Sequence, residues 1–360
     1  MPKSRLSRDR LQQLLGAITN TPPRIAVVGD AMLDLYLKGE VERISPEAPV
    51  PVVRVRERKY ALGGAANVAQ NALAVGARCE LVAAVGRDAA GAQLREMLAA
   101  QGAEPRGLVD CDRPTTTKTR VVARNQQVVR VDEEVDADLS GDEVTRVLDA
   151  VARAVAGADA LILEDYNKGV LVPQVIRAAI DAARAKRIPV VVDPKFRNFF
   201  EYRGCTVFKP NRRELEGALG AAVDVGNPDA LPDVLARLDA AHLLLTLSER
   251  GMALVSRGAE DEGGARSEGK ERGARGRPEG GGERRGGATR VERIPTTARE
   301  VFDVVGAGDT VTAYLAAILA VGGSALEASI VANYAAGIQV GKAGAAVVTP
   351  AEVLAAYDDA

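Results

Sequence analysis

Short apolar runs alternate with amphipathic segments of helical length along most of this chain, and no other feature narrows its possible folds as much. The apolar runs have the length of buried strands and include residues 24–30, 80–85, 158–163 and 189–192. The segments between them have helical spacing and include residues 64–76, 89–101 and 172–186. A chain that alternates in this way forms a mainly parallel sheet with helices on both faces. We therefore predict an α/β fold.

Polar residues follow most of the predicted strands. In open α/β sheets, ligands bind beyond the carboxyl ends of the strands. We therefore expect the functional site to draw on the polar side chains at these ends, which are Asp30, Asp34, Asp165, Asp193, Lys195, Lys209, Asn211, Thr246 and Ser248.

Three segments depart from the alternation. Residues 38–58 and 114–133 have extended β character without helices, which predicts a small separate sheet that covers the substrate as a lid. Residues 257–290 are rich in glycine and charge and almost free of apolar side chains, so they cannot bury enough surface to offset the entropy of ordering. We predict a disordered surface insertion there, within a single domain that spans residues 1–360.

The composition argues against several classes of function. The formal net charge is -2 and tryptophan is absent, so neither a basic field nor stacking platforms favour nucleic acid. Three separated cysteines and one histidine argue against a disulfide framework, a zinc site and histidine-based catalysis. Membrane-spanning and signal-peptide patterns are also missing. We expect a cytoplasmic protein that binds neither nucleic acid nor membranes.

The most informative motif is DVVGAGDT at residues 303–310, which precedes an Ala/Leu-rich helix. Gly306, Ala307 and Gly308 would present backbone N–H groups at a helix N-terminus, which is a binding site for anions. Asp309 in the first turn can accept the proton of an attacking hydroxyl. Because phosphoryl transfer needs mainly positioning and charge stabilisation, these elements suffice for its core. The alternative is a glycine-rich turn whose aspartate only caps the helix.

Two further motifs are open to two interpretations each. At Gly63, Gly64 and Asn67, the glycines admit a ligand to the backbone and the amide can bind a hydroxyl, but tight packing of a helix start explains them equally well. Asn211 and Glu214 either organise magnesium and water near phosphates or form a capping box.

In this order, the three motifs resemble the signatures of the ribokinase-like (PfkB) carbohydrate kinases over nearly the whole chain. The resemblance implies a ribokinase-like fold and the use of ATP and Mg²⁺, with Asp309 as the catalytic base and residues 306–308 as the anion hole. It further implies that Asp30 and Asp34 hold sugar hydroxyls and that Asn211 and Glu214 serve the magnesium. A threonine usual in the family is replaced here, since Val304 and Val305 fill the stretch before the glycines. The residues assigned to the nucleotide are Lys209, Asn211, Glu214, Ser248, Gly251, Asp303 and Asn333.

Longer strings are similar to the bacterial D-glycero-β-D-manno-heptose 7-phosphate kinases, namely RISPEAPVPV at 43–52, TKTR at 117–120, RNQQVVRVD at 124–132 and VDPK at 192–195. This similarity implies transfer from ATP to the anomeric hydroxyl, which gives heptose 1,7-bisphosphate for the lipopolysaccharide inner core. Basic side chains suit a substrate that already carries phosphate, although they equally suit the solvated face of a strand. The substrate-binding candidates on these strings are Arg43, Lys118, Arg120, Arg124, Asn125, Gln127, Arg130, Asp193 and Lys195.

The resemblance also sets expectations about organisation. Enzymes of this kind are often fused to a nucleotidyltransferase, but the sequence contains no HxGH-like motif, so we expect a monofunctional kinase. Lid sheets in the family commonly pair between subunits and an open edge is a liability, so we expect a homodimer through the lid. The alternatives are a kinase of another sugar, sugar phosphate, nucleoside or vitamin, and a non-catalytic regulator that binds sugar or nucleotide. The intact Asp309 argues against the regulator.

Overall fold

The structure is a computed structural model that describes residues 5–103, 105–124, 126–224, 231–257, 289–298 and 300–359. Residues 258–288 of the predicted insertion and Asn125 therefore lie outside the described residues. Within the described ranges, every helix is too short or too polar to cross a bilayer.

The strands of the described residues fall into two sheets. They are β1 (Arg24–Gly29), β2 (Ala31–Ile44), β3 (Pro51–Gly64), β4 (Arg78–Gly86), β5 (Leu108–Cys111), β6 (Thr117–Ala123), β7 (Gln126–Glu133), β8 (Ala160–Glu164), β9 (Val190–Asp193), β10 (Val207–Phe208), β11 (His242–Thr246), β12 (Met252–Ser256) and β13 (Arg290–Ile294). The larger sheet has the order β13-β12-β11-β10-β9-β8-β1-β4-β5. All of its pairings are parallel except those of β12, which runs antiparallel to β11 and β13. The predicted α/β architecture is confirmed.

Helices cover both faces of the large sheet. They are α1 (Arg8–Asn20), α2 (Ala65–Ala74), α3 (Ala89–Ala100), α4 (Gly141–Gly157), α5 (Pro173–Lys186), α6 (Arg212–Leu219), α7 (Leu231–Leu238), α8 (Ala307–Ala320), α9 (Ala325–Gln339) and α10 (Pro350–Asp358). Successive strand residues point to opposite faces, so Ile25 and Val27 pack in the core under α1–α3 and α8–α10. Ala26 and Val28 pack in the core under α4–α7. This layering explains why the strands read as continuous apolar runs.

A second sheet has the order β3-β2-β6-β7 and is the sheet predicted as a lid. It is longer than predicted, because β2 begins directly after β1 and β3 continues to Gly64. The strand β2 starts buried at residues 31–34 and ends exposed, so it leads from the core into solvent. The second predicted segment is a hairpin of β6 and β7 that turns at Arg124, where φ is +47°.

The large sheet changes its direction of growth between β1 and β8. From β1 the chain adds β4 and β5 on one side, and β8 to β13 follow on the other. At such a switch point the connections leave in opposite directions and open a crevice at the carboxyl ends of the strands. Glu164 and Asp193 end β8 and β9, and Lys209 follows β10, so these three side chains lie at the crevice.

Candidate active site

The DVVGAGDT motif forms a rigid turn at the N-terminus of α8. Gly306 precedes the helix at φ +85°, a backbone conformation that residues with a Cβ adopt at a cost. Asp303 holds both sides of the turn, since one carboxylate oxygen accepts from Val305 N at 3.0 Å and the other from Gly344 N at 3.0 Å. The buried amide of Gln339 donates to Val305 O at 2.6 Å. The turn is thus fixed before any ligand arrives.

Asp309 lies in the first turn of α8 and is buried, with 6% of its surface exposed. Asn67 Nδ2 donates to Asp309 Oδ2 at 2.5 Å, and the Tyr166 hydroxyl donates to Asp309 Oδ1 at 3.1 Å. Burial raises the pKa of Asp309 to about 6, although both hydrogen bonds act to lower it. A carboxylate with this pKa is ionised at neutral pH and still basic enough to take up a proton during a reaction.

Two more carboxylates lie close to Asp309. One oxygen atom from each of Glu164, Asp193 and Asp309 lies within 4.8 Å of the others. Glu164 is fully buried, and neither of its carboxylate oxygens has a hydrogen-bond partner among the described residues. Burial first, and then the charges of Asp193 and Asp309, raise the pKa of Glu164 well above its usual value.

Lys209 balances part of this negative charge. Its ammonium is 2.7 Å from Asp193 Oδ2, and its side chain is only 3% exposed. Burial would lower the pKa of Lys209, but the charges of Asp193 and Glu164 outweigh it and raise the pKa. A Cβ added to Gly308 would lie 3.7 Å from Lys209 Nζ, so the turn of α8 and the ammonium face the same space. A phosphate at that turn would therefore meet both backbone N–H groups and a cation.

Asn211 and Glu214 form the capping box of α6. Asn211 Oδ1 accepts from Glu214 N at 2.9 Å, and Glu214 Oε2 accepts from Asn211 N at 2.8 Å. The other oxygen of Glu214 accepts from Lys195 Nζ. Direct magnesium coordination by this pair would have to replace these bonds. Mg²⁺ prefers oxygen ligands, and the unpartnered oxygens of Glu164 beside Asp193 fit that preference better.

The Gly63–Gly64 pair brings the lid strand β3 against two acidic residues. A Cβ at Gly63 would lie 2.9 Å from Asp34 Oδ2, and a Cβ at Gly64 would lie 2.3 Å from Asp30 O, so larger residues would not fit. Gly64 also ends β3 at φ +56°, and α2 with Asn67 begins at the next residue. The glycines thus pack a helix start, and the Asn67 amide donates to Asp309, while binding of a ligand or a hydroxyl by this motif stays a prediction.

Asp30 is held by the loop that follows β8. Its side chain is 1% exposed and accepts three backbone hydrogen bonds, from Tyr166 N at 2.9 Å, Lys168 N at 2.9 Å and Val170 N at 3.1 Å. Binding of a sugar hydroxyl by this carboxylate stays a prediction, and it would have to use a lone pair that these bonds leave free. Asp34 keeps the predicted location on β2, where Arg120 Nη1 donates to its Oδ1 at 2.5 Å.

The predicted substrate-binding cations divide into two groups. Lys118 and Arg130 share Asp132, and Lys195 is paired with Glu214. The Lys195 ammonium also lies 5.1 Å from the centre of the Tyr166 ring. Burial would lower the pKa of Lys195, but neighbouring acids raise it to about 12. The second group, Arg43 and Arg124, is exposed on the outer part of the lid, as is the neutral Gln127.

Of the residues predicted at the nucleotide, Asn211 and Ser248 line a cleft with a volume of about 440 Å³. Its lining residues are Asn211, Arg212, Arg213, Thr246, Leu247, Ser248, Glu249 and Arg250. Gly251 closes the turn at φ +82°, where a Cβ would lie 2.1 Å from Ile294 O. Asn333 lies elsewhere in the fold, and its amide donates to Pro295 O at 2.9 Å.

Sequence reasoning missed Glu164 and Tyr166. The predicted strand stops at residue 163, whereas β8 continues through Glu164. Side chains alternate along a strand, so Glu164 and Asp165 point to opposite sides, and Glu164 is the one that faces the site. Asp165, which the sequence predicts at the site, instead accepts a hydrogen bond from the Tyr202 hydroxyl at 2.8 Å. The apolar residues of β8 are buried on both faces of the sheet, so no local signal marks Glu164 as the acid that faces the site.

A buried carboxylate in the first helical turn, beside a glycine turn and a lysine at the carboxyl edge of an α/β sheet, defines a phosphotransferase that acts on a sugar hydroxyl. The sequence pattern of the family described as "pfkB family carbohydrate kinase" matches residues 22–352. The chain belongs to this family.

Relatives with a higher identity match most of this chain. The chain is 44% identical over 334 residues to the bifunctional protein HldE of Gluconacetobacter diazotrophicus, and 44% identical over 331 residues to that of Pelobacter propionicus. These alignments cover 92% and 91% of this chain but only 63% and 62% of the relatives' lengths. The chain thus spans less than two thirds of either relative.

Solved structures show the same fold at low identity. Ribokinase from Arabidopsis thaliana, complexed with ribose and ATP, matches with a TM-score of 0.67 at 19% identity, covering 93% of this chain and 99% of that one. The tetrameric inhibited form of phosphofructokinase-2 from Escherichia coli matches with a TM-score of 0.70 at 17% identity, covering 94% and 99%. The predicted ribokinase-like fold is confirmed.

Proposed function

We propose that this chain transfers the γ-phosphoryl group of ATP to the anomeric hydroxyl of D-glycero-β-D-manno-heptose 7-phosphate. The observation that carries the kinase chemistry is the location of Asp309, buried in the first turn of α8 and held by Asn67 and Tyr166. The heptose substrate is supported by the strings at residues 43–52, 117–120, 124–132 and 192–195. It is also supported by the relatives named HldE. The product would enter lipopolysaccharide inner-core synthesis.

The residues of the chain account for each movement of charge in this reaction. Asp309 takes the proton of the anomeric hydroxyl as that oxygen attacks the γ-phosphorus. The bond between the γ-phosphorus and the β,γ-bridging oxygen breaks, and ADP leaves with the bonding electrons. The N–H groups of residues 306–308 and the Lys209 ammonium stabilise the negative charge of the transferred group. Asp34 and Arg120 lie where the lid joins the core and would orient the sugar.

Magnesium is the cation we assign to this site. Glu164 and Asp193 would provide oxygen ligands, and Asn211 with Glu214 would act behind them by holding Lys195. When bound, the ion supplies charge neutralisation for the phosphates. Lys195 and the predicted lid residues would meet the substrate phosphate.

We also propose that the lid sheet pairs with the lid of a second copy. The outer lid exposes large apolar side chains on both of its edge strands, with Val129 48% and Val131 49% exposed on β7 and Val55 38% exposed on β3. Buried against a second copy, these side chains would stabilise a dimer. Sedimentation of the wild type and of Val129→Lys with Val131→Lys tests this. A wild type that sediments as a monomer would contradict the proposal.

The activity is tested by ATP consumption on a panel of heptose 7-phosphate, fructose 1-phosphate, fructose 6-phosphate and ribose. We expect turnover with heptose 7-phosphate that Asp309→Asn largely removes. Asp88→Asn is the matched control, since Asp88 also accepts hydrogen bonds at a helix N-terminus, that of α3. Turnover of another sugar would keep the kinase and reject the heptose. Full activity in Asp309→Asn would reject the base.

A non-catalytic regulator is the alternative of a different class. The intact arrangement of Asp309, Lys209 and the α8 turn counts against it. Such a regulator would bind ATP and sugar phosphate in calorimetry without consuming either, so the same panel separates the two functions.

A further inference from the structure

Tyr166 contacts the proposed base directly. It follows β8, and its hydroxyl donates to Asp309 Oδ1 at 3.1 Å, while Asn67 donates to the other carboxylate oxygen at 2.5 Å. The hydroxyl is the donor in this bond, because an ionised carboxylate can only accept. Two donors on different oxygens leave the carboxylate little freedom to rotate.

The backbone and the ring of Tyr166 each contact a charged side chain. Its backbone N–H donates to Asp30 Oδ2 at 2.9 Å, and Asp30 binds two further N–H groups of the same loop. The Lys195 ammonium stands 5.1 Å from the centre of its ring, within the range of a cation–π contact. The backbone and the ring of Tyr166 are thus both held in place, and this fixes the direction from which its hydroxyl reaches Asp309.

Other groups also face Asp309. Asn67 reaches it from α2, and Tyr166 comes from the loop after β8. Glu164 from β8, Asp193 from β9 and Lys209 after β10 surround the remaining side. The two acids oppose ionisation of Asp309, whereas Lys209, Asn67 and Tyr166 favour it. Among these groups, the tyrosine hydroxyl is the one that a single-atom substitution removes without a change of charge.

We propose that Tyr166 is a positioning residue for the base, whose hydroxyl fixes the rotation of the Asp309 carboxylate so that a free lone pair faces the acceptor hydroxyl. Tyr166 itself gives up no proton during the reaction. Asp30 would act one step further back, because it holds the backbone from which the tyrosine projects. The inference rests on the proposed function only through the role of Asp309 as base.

The first test compares Tyr166→Phe with Tyr202→Phe. The control removes a hydroxyl from the neighbouring buried carboxylate Asp165, at 2.8 Å. Loss of a hydrogen bond to a charged group should lower kcat about tenfold for Tyr166→Phe and move the acid limb of its pH profile up by about one unit. KM for ATP and for the sugar phosphate should stay within about twofold. The substrate phosphates titrate identically with all three enzymes, so the difference between variants is the readout.

The second test needs no substrate. The side-chain carboxyl of Asp309 is titrated by ¹³C NMR in wild type, Tyr166→Phe and Tyr202→Phe, and Asp309→Asn identifies the resonance. The hydroxyl stabilises the ionised form, so the pKa of Asp309 should rise in Tyr166→Phe and stay unchanged in Tyr202→Phe.

Each outcome decides something. An unchanged Asp309 titration in Tyr166→Phe overturns the proposal. So does a raised KM for the sugar phosphate at unchanged kcat, because the hydroxyl would then contact substrate. A wild type that phosphorylates no sugar but shows the expected NMR shift overturns the proposed function, while it supports the part of the inference that concerns the free protein, namely that the Tyr166 hydroxyl holds the ionised Asp309 carboxylate.

Discussion

Replacement of Lys209 by methionine should destabilise the protein strongly, because it leaves buried acids without their cation. The Lys209 side chain is 3% exposed and its ammonium lies 2.7 Å from Asp193 Oδ2, which is itself buried. Removal of one partner from such a pair typically costs about 3–5 kcal/mol in the free energy of unfolding. Methionine has a similar length, so lost packing should contribute little to the cost.

The double variant separates charge from packing. In Lys209→Met with Asp193→Asn, both charges of the pair are gone, and we expect most of the lost stability to return. The stabilities of wild type, both single variants and the double variant are measured by urea denaturation, in a double-mutant cycle. If Lys209→Met is as stable as wild type, or if the double variant is no more stable than Lys209→Met, the electrostatic reasoning is wrong.

The same variant has a defined pH dependence. Burial and the neighbouring acids raise the pKa of Glu164 in the folded state, and Lys209 lowers it, so loss of the lysine raises this pKa further. An acid whose folded-state pKa lies above its unfolded value destabilises the fold at high pH, and this cost falls as pH drops through the folded-state pKa. The stability difference between wild type and Lys209→Met should therefore shrink as the pH falls from alkaline values through the folded-state pKa of Glu164. A difference that grows on acidification would contradict the sign.

Two other substitutions test the cation site and the turn of α8. Glu164→Gln should weaken Mn²⁺ binding about tenfold or more, measured by electron paramagnetic resonance without nucleotide, because carboxylate charge sets cation affinity. The control is Glu292→Gln, which changes a buried acid paired with Arg5 and Arg290 and should leave Mn²⁺ affinity unchanged. Equal affinities in the two variants would reject Glu164 as a ligand. Gly306→Ala should lower kcat about tenfold or more, because its Cβ would meet Asn67 Nδ2 at 3.0 Å and displace the partner of Asp309. Gly322→Ala is the matched control, since φ is +83° with no atom near the new Cβ, and it should cost stability alone; equal kcat in both variants would contradict the contact.

The fold was predictable because its signals are local in sequence. Apolar runs of strand length and their regular alternation with helical segments can be recognised without knowing how the elements pack. The DVVGAGDT motif was predictable for the same reason, since a glycine turn and a helix start are set by neighbouring residues. The lid was found from two segments without helices, although its true length depends on how far β2 runs through the core.

The contacts between distant residues were not predictable. Asn67 and Asp309 are 242 positions apart, and only the packing of α2 against α8 brings them together. Asp30 follows a strand at the edge where ligands bind, yet the loop after β8 folds over it and donates three backbone hydrogen bonds to its carboxylate. Glu164 was missed through a strand end misplaced by one residue. These are facts of register and tertiary packing, which a single sequence does not display.

The continuity of β3 with α2 couples the lid to the chemistry. No loop separates Gly64, the last residue of β3, from Ala65, the first of α2, and pairing with β2 is unbroken from Gly64 to Glu57. The inner lid is therefore connected without a flexible loop to the first turn of α2, which carries Asn67. A sugar that displaced this part of the lid would also displace Asn67 relative to Asp309. The outer lid lies beyond the irregular pairings near Gly39 and Arg43, where the ladder is interrupted and the strands can bend. Such a linkage would let contact between a sugar and the lid strengthen or weaken the hydrogen bond that Asn67 donates to Asp309.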